Sequence, residues 1–396
     1  MAEAAAAAEA EEFHDDIIYP ATIPFVLVHL SGIAAIWTGI TVEAVALCIA
    51  LYWFRMWAVT AGYHRYFSHR SFKTSRVFQF ILAFLAQSSL QRGVIWWAAI
   101  HRHHHRHSDT ELDIHSPKHR SFLYSHVGWI FSNRNDAPNY DLVPDLARHP
   151  ELMWLERHHH VPGILLAAAC FAFAGWPGLV VGFVWSTILL YHGSFSINSL
   201  AHVHGKQRYL TGDDSRNNWW LSLITMGEGW HNNHHAYQSA TRQGFRWYEI
   251  DLTYYILKVL SWFRIVWDLR QPPAEIVRGE QRLGRRVVER VAHQLAQSFP
   301  AERIAAQVRE ALSHTPTTWS EIRERARERH AHAAEKLAEL HLPHLPSMGD
   351  IRRRAESMFA HAPRVSLDEI AERTRQIVLE RVTMQLFDGP EPAGAS

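Results

Sequence analysis

The sequence predicts an all-α polytopic membrane protein with four transmembrane helices, an interfacial or re-entrant helix, a histidine-rich cap on one membrane face and a helical soluble C-terminal extension. Three observations predict it. Apolar runs gather between residues 23 and 191, histidine-rich stretches follow the ends of those runs, and beyond Trp267 the composition turns to Arg, Glu, Ala and His without a further span. Histidine is the unusual residue, with 29 among 396.

The opening MAEAAAAAEAEEFHDD lacks the basic start of a secretory signal, so residues 1–20 are expected to be a disordered Ala/Glu-rich tail. A membrane domain is expected over 21–271. Its first apolar run, Ile23 to Trp37, ends at TGI, and a second runs from Val42 to Ala61. Each is near the lower limit of about 17 to 25 residues for a span. A later pair, Val161 to Gly175 and Leu179 to Tyr191, is divided by WPG.

The segment Val77 to Ala99 has two apolar stretches around the polar centre SSLQRG. One crossing here would put His64 and His101 on opposite faces of the membrane. Two crossings need about 40 residues, more than the 31 between His69 and His101. For both histidine groups to serve one site, the segment must lie along the interface or dip in and return. Four spans and one histidine-bearing face follow.

From residue 272 to 396 a soluble helical extension is expected, built on stretches such as QRLGRRVVERVAHQLAQSF and WSEIRERARERHAHAAEKLAEL with breaks at SHTPTT and LPHLPSMGD. The chain carries 40 basic and 39 acidic residues, so nothing global points to nucleic acid. Cys48 and Cys170 lie far apart in apolar segments, which argues against a disulfide scaffold or zinc knuckle.

Helical spacing sorts the histidines. Positions i, i+3 and i+4 share a face, so in HRHHHRH the residues His101, His104 and His105 point one way while His103 and His107 point the other. GEGWHNNHH repeats the pattern with His231, His234 and His235. HRYFSH supplies His64 and His69, about 140° apart on an ideal helix, so an end or bend is expected between them. In NSLAH, Asn198 and His202 share a face. Nine candidate imidazole ligands exceed the four of a structural zinc site and suit two metal ions. Imidazole serves iron, zinc, copper and nickel alike.

Asp109, Asp113 and Glu228 stand near these motifs and are expected to accept ligand N–H groups. Arg65, Arg70, Arg102, Arg106, Lys118 and Arg120 add positive charge that suits a phosphate headgroup, an acidic electron donor or anionic lipid. His158, His159 and His160 are expected at a span entrance or in a loop, and His330, His332, His341 and His344 on the surface.

The motifs GYHRYFSHRSF, HRHHH, NSLAH and GEGWHNNHH, in that order over roughly Ile23 to Leu269, resemble those of the membrane fatty-acid desaturases, especially the branch of acyl-CoA Δ9 desaturases. The resemblance implies a cytosolic di-iron cap, with the nine histidines as ligands and Asn198 acting through water. It also implies a fatty acyl substrate in a bent tunnel, O2 as co-substrate, and insertion of a cis double bond with two electrons from outside. Tyr52, Met56 and Thr60 step along the helix face leading to His64 and are expected to line that tunnel. Trp97 matches the family's tryptophan before the second motif and is expected at the bend, whereas Trp96 is expected at the interface.

Ala99 and Ile100 stand where the animal acyl-CoA enzymes carry an arginine and an acid. An acyl-CoA or other acyl thioester is the expected substrate, with acyl-lipid desaturation or fatty acyl hydroxylation as alternatives from the same chemistry and a histidine-rich metal-binding or transport protein as one from another class. No fused cytochrome b5 segment is recognisable, so a separate ferredoxin or cytochrome b5-like protein is the expected electron donor. The expected location is a bacterial inner membrane, in contact with membrane lipid, with the metal site and both termini cytosolic.

Overall fold

The computed structural model describes residues 23–132, 136–313, 334, 337–339 and 344–387. The expected tail at 1–20 and His330, His332 and His341 lie outside the described residues, as does most of the stretch from Trp319 to Leu340. His344 is exposed. The chain divides into two compact units, residues 1–208 with 213–273 and residues 209–212 with 274–396.

Among the described residues, the regular structure of the first unit is helical apart from one two-stranded ribbon and the isolated bridges of Asn217 with Lys206 and Trp230. Its helices begin with α1 (Ile23–Thr38) and α2 (Val42–Ser68). Thr41 starts α2 by accepting the Ala44 N–H at 3.2 Å, as an N-cap residue does. Strand β1 (Lys73–Thr74) pairs antiparallel with β2 (Val266–Trp267), fixing the exit of α2 to the end of the unit.

Next come α3 (Arg76–Gln87) and α4 (Val94–His107). The polar centre SSLQRG is therefore a break between two helices. Leu90 and Arg92 take left-handed φ angles of 59° and 67°, conformations that cost a residue with a Cβ about 1–2 kcal/mol each. Neighbouring groups hold them there. The Tyr191 hydroxyl donates to the Leu90 carbonyl at 3.1 Å, the Tyr63 hydroxyl to the Arg92 carbonyl at 2.7 Å, and the Glu156 carboxylate accepts the Ile95 N–H at 2.7 Å to cap α4.

Beyond the short α5 (Phe122–His126) and α6 (Pro150–Arg157), the chain enters α7 (Val161–Pro177), continues through a π-helical turn at Gly178–Trp185 and ends in α8 (Ser186–Ser199). Ala174 and Gly175 interrupt this apolar stretch. Gly175 sits at φ +61°, a value glycine adopts without the Cβ penalty. The chain turns back here, so that Cys170, Phe183 and Val184 pack with Leu51 of α2, and Val180 and Val181 with Ala44. Both cysteines are buried thiols. Among the described residues, Val42–Ser68 and Val161–His202 are long and apolar enough to cross a membrane, while Ile23–Thr38 and Arg76–Gln87 are shorter apolar helices.

Arg55, fully buried in α2, ties the break to these helices. Its guanidinium donates to the Ser88 carbonyl (3.2 Å), Thr187 Oγ1 (2.8 Å) and Ser186 Oγ (2.5 Å). Arg55→Met is expected to lower the melting temperature of the detergent-solubilised protein, at about 1–3 kcal/mol for each buried acceptor left without a donor. An unchanged melting temperature would mean the arginine is dispensable.

The main core joins Met56, Phe67, Leu82, Ile95, Leu152 and Leu257, locking α2, α3, α4 and α6 against α11 (Leu252–Trp262), which follows α9 (Trp219–Ile224) and α10 (His231–Ala236). The second unit packs α12 (Arg285–Gln297), α13 (Ala301–Ser313), α14 (Met348–Met358) and α15 (Leu367–Phe387). Val291, Leu295, Ile351 and Ile370 form one of its cores, and Val308, Val378 and Val382 belong to the other.

Candidate metal centre

The last ten residues of α2, Val59–Ser68, are π-helical. The His69 N–H donates to the His64 carbonyl at 3.2 Å, closing an i→i+5 turn. An α-helical angle of about 140° led to the expectation of an end or bend between these histidines. The helix does end between them, at Ser68, and its π turn brings His64 and His69 to one side, with ring centroids 4.8 Å apart. α4 then presents His101, His104 and His105, the end of the α7–α8 stretch presents His202, and the short α10 presents His231, His234 and His235. Gly229 precedes α10 because a Cβ there would lie 2.1 Å from the Ser222 nitrogen. The two asparagines of HNNHH anchor that helix: Asn233 donates to the Gln243 carbonyl (2.9 Å) and Glu249 (2.8 Å), and Asn232 accepts the Arg208 N–H (2.7 Å).

All nine sequence-selected histidines meet in two groups. One holds His64, His69, His101, His105 and His234, and the other His104, His202, His231 and His235. In the first, Nε2 atoms follow one another at 3.0 Å (His64 to His234), 2.9 Å (His234 to His105), 2.9 Å (His105 to His101) and 2.8 Å (His101 to His69). In the second, His202 and His231 Nε2 are 3.0 Å apart, and His235 Nε2 is buried without a partner.

These separations suit a cation better than a hydrogen-bond chain. An Nε2 carries either one proton or one lone pair, so two Nε2–H groups would each have to serve two acceptors at once. Nitrogens about 2.1 Å from a metal and at right angles to one another lie about 3.0 Å apart, which is the spacing seen.

Carboxylates fix the rings from behind. His64 Nδ1–H donates to Glu228, His104 Nδ1–H to Asp113 (3.0 Å), His202 Nδ1–H to Asp109 (2.8 Å) and His235 Nδ1–H to Asp213 (2.7 Å). Each contact leaves the Nε2 lone pair aimed inward. Asp213 has no sequence spacing that singles it out; it lies in the loop TGDDS, 22 residues before its partner. His115, also missed, lies beside His104 and Asp113.

Arg65 is no surface charge. It is buried and bound to Glu228 (3.1 Å) and Asp251 (2.9 Å), so it steadies the carboxylate behind His64. Arg102 and Arg70 both pair with Asp145, and Lys118 pairs with Asp214. Burial, then repulsion among neighbouring imidazoles, holds His69, His101, His105, His231 and His234 well below the ordinary histidine value. Burial opposes ionisation of Asp113 and Asp109, but the facing imidazoles of His104 and His202 outweigh it and keep both carboxyls well below their usual range. Burial also works against charge on His202, but the facing Asp109 outweighs it and raises His202 to about 9, so the five depressed imidazoles are the ones already in the neutral form that metal binding needs.

A pH dependence follows. In the metal-free folded protein the depressed histidines stay neutral, while the unfolded chain takes up protons near pH 6.5. The unfolded state therefore binds more protons as pH falls. This contribution to stability is present above about pH 6.5 and is lost progressively below it. Chelator-treated protein is expected to melt at a lower temperature at about pH 5.5 than at about pH 7.5; equal melting temperatures would contradict neutral burial.

A cavity of about 450 Å³ opens beside the first group, walled by Trp96, Trp97, Trp129, Phe25 and Phe195 and reaching His101, His115 and Asn198. Trp97 stacks on His101 at 5.0 Å. Tyr52, Met56 and Thr60, expected on the tunnel path, are not among its lining residues. Their face of α2 is packed: the Tyr52 hydroxyl donates to the Ile224 carbonyl at 2.7 Å, Met56 lies in the main core, and Thr60 Oγ1 is 2.7 Å from Thr253 Oγ1. Trp96, expected at the interface, is buried against Trp129 and lines the cavity, as do His159 and His160.

Residues 40–261, more than half of the chain, match the fatty acid desaturase family. The chain belongs to that family. This desaturase is 36% identical over 242 residues to an acyl-CoA 5-desaturase of Anemone leveillei, covering 60% of this chain and 73% of that one. It is 37% identical over 225 residues to an sn-2 palmitoyl-lipid 9-desaturase of a Nostoc strain (55% and 79% covered) and 34% identical over 246 residues to an sn-1 stearoyl-lipid 9-desaturase of Anabaena variabilis (61% and 89% covered). It is therefore an oxidoreductase, and the metal-transport alternative falls away.

Proposed function

We propose that this desaturase uses O2 to insert a cis double bond at C9 of a saturated long-chain acyl thioester such as acyl-CoA, at a di-iron centre held by the two histidine groups. One observation carries this reading: His101 belongs to the first histidine group and also lines the apolar cavity, so an acyl chain in that cavity reaches the metal edge. Iron, when bound, supplies redox chemistry with O2 at unactivated methylenes, which zinc does not.

The nine histidines hold the ions, with Asn198 placed to act through water, while Asp109, Asp113, Glu228 and Asp213 orient the rings. Trp96, Trp97, Trp129 and Phe195 exclude water and fix the chain's path past His101. The balanced reaction consumes O2, two electrons and two protons and gives the alkene and two waters. The electrons come from a separate ferredoxin or cytochrome b5-like protein.

In the topology that fits this reading, α1, the apolar part of α2 and the two arms either side of Gly175 are four crossings, and α3 with the start of α4 lies in or along the boundary. Residues 21–271 form the membrane domain, 1–20 a tail and 272–396 a soluble extension. The metal centre and both termini face the cytosol of a bacterial cell. A second reading, desaturation of an acyl-lipid, is favoured by the likeness to the Nostoc and Anabaena acyl-lipid desaturases and by Ala99 and Ile100.

Gas chromatography with mass spectrometry of lipids and acyl-CoA from cells expressing the protein tests the proposal. A mono-unsaturated chain with its double bond at C9 is the expected product, and the pool in which it first appears separates thioester from lipid substrates. A hydroxy acid as principal product would overturn desaturation.

A further inference from the structure

Three histidines outside the metal centre form a chain of their own. His29 Nδ1 lies 2.8 Å from the Phe25 carbonyl oxygen and His29 Nε2 lies 3.2 Å from His192 Nε2. His192 Nδ1 is 3.0 Å from His126 Nε2, and His126 Nδ1 is 2.9 Å from Ser199 Oγ. They come from α1, α8 and α5, all half-buried. Phe25, Tyr191 and Phe195, which pack on these rings, line the acyl cavity.

The end groups set the direction of every proton. A carbonyl only accepts, so His29 carries its proton on Nδ1 and offers a lone pair at Nε2. His192 must then donate from Nε2 and accept at Nδ1, and His126 must donate from Nε2 and accept at Nδ1 from the Ser199 hydroxyl. Three neutral rings are thereby satisfied. One added proton is also accommodated, because Ser199 Oγ lies 3.1 Å from the Phe195 carbonyl and can turn its hydrogen there while accepting from His126. A second added proton sits furthest from the first on His29 Nε2, where it faces the His192 Nε2–H across the longer of the two ring-to-ring contacts (3.2 Å against 3.0 Å), and that contact is lost.

The groups around the chain do not supply a counter-charge. Tyr191 stacks on His29 at 6.1 Å with its hydroxyl on the Leu90 carbonyl, Phe122 stacks on His126 at 6.1 Å, and Ser196 donates to the His192 carbonyl. Among the described residues no charged side chain pairs with the three rings. Burial holds His126, on α5, below the ordinary histidine value.

We propose that His29, His126 and His192 are a proton-accepting site that holds one shared proton, and that a second proton parts α1 from the wall of the acyl cavity. The site thereby makes access to the cavity pH-sensitive, a consequence that rests on the acyl reading of that cavity; the displacement of α1 does not.

Dipolar EPR on the full chain in nanodiscs tests it without using activity. Spin labels are placed on the exposed positions Leu27→Cys of α1 and Leu189→Cys of α8. The ratio of separated to close labels is expected to rise about fivefold between about pH 7.5 and about pH 4.5, a range that reaches below the ordinary histidine value because burial without a counter-charge delays the second uptake; fivefold is the factor that goes with loss of one neutral hydrogen bond. His192→Gln and, independently, His29→Gln keep polar contacts without titrating and are expected to flatten the change. A flat response in the parent, or an undiminished response in either variant, would overturn the site. Failure of desaturation with the EPR response intact would instead count against the acyl reading alone.

Discussion

His104→Ala is expected to abolish one metal position and to lower desaturation more than about 100-fold, beyond the 10–100-fold typical of losing an outer partner. His104 is buried, its Nδ1–H is committed to Asp113, and its other nitrogen belongs to the group with His202, His231 and His235. His103, one residue earlier, belongs to neither group and pairs its ring with His107 at 4.6 Å. His103→Ala is therefore expected to keep metal content and most turnover. Equal losses from the two changes would contradict the face assignment. His105→Ala sharpens the comparison, since it removes a ligand from the other group and should deplete the other ion.

Asp213→Asn is the second large effect. The carboxylate takes the His235 Nδ1–H at 2.7 Å and is itself held by the Ser215 hydroxyl at 2.6 Å. Burial disfavours its charge, but the His235 and His202 imidazoles keep it ionised, well below the usual carboxyl range. An amide removes the charge and allows His235 to turn or change tautomer. Metal affinity and turnover are expected to fall about 10–100-fold, with the protein folded and the first histidine group still loaded. Metal content and rate equal to the parent would show that Asp213 does not orient His235.

Helical spacing made much of this site legible. The rule that i, i+3 and i+4 share a face separates His101, His104 and His105 from His103 and His107, and the same rule applied to HNNHH finds the other half. It could not say that His101 and His105 serve one group while His104 serves the other. That division depends on which partner helix each imidazole meets. The end of the helix between His64 and His69 was legible, but the π turn at Val59–Ser68 that leads to it was hidden, because local composition does not announce an i→i+5 turn.

Asp213 and the chain of His29, His126 and His192 escaped for a related reason. Their partners are distant in sequence, and neither a loop aspartate nor single histidines on three elements produce a periodic pattern. What packs on Tyr52, Met56 and Thr60 was hidden as well. A helix face can be drawn from Tyr52 to Thr60, but α9 and α11 already occupy it, whereas the cavity lies along α4 and α8.

The central claim is that two adjacent histidine groups hold two iron ions. Elemental analysis of the protein purified from iron-sufficient cells, normalised to chain concentration, tests it most directly. Two irons per chain, falling towards one in His104→Ala and unchanged in His103→Ala, is the predicted result. A single labile zinc with no iron, under conditions where the protein is folded, would contradict it.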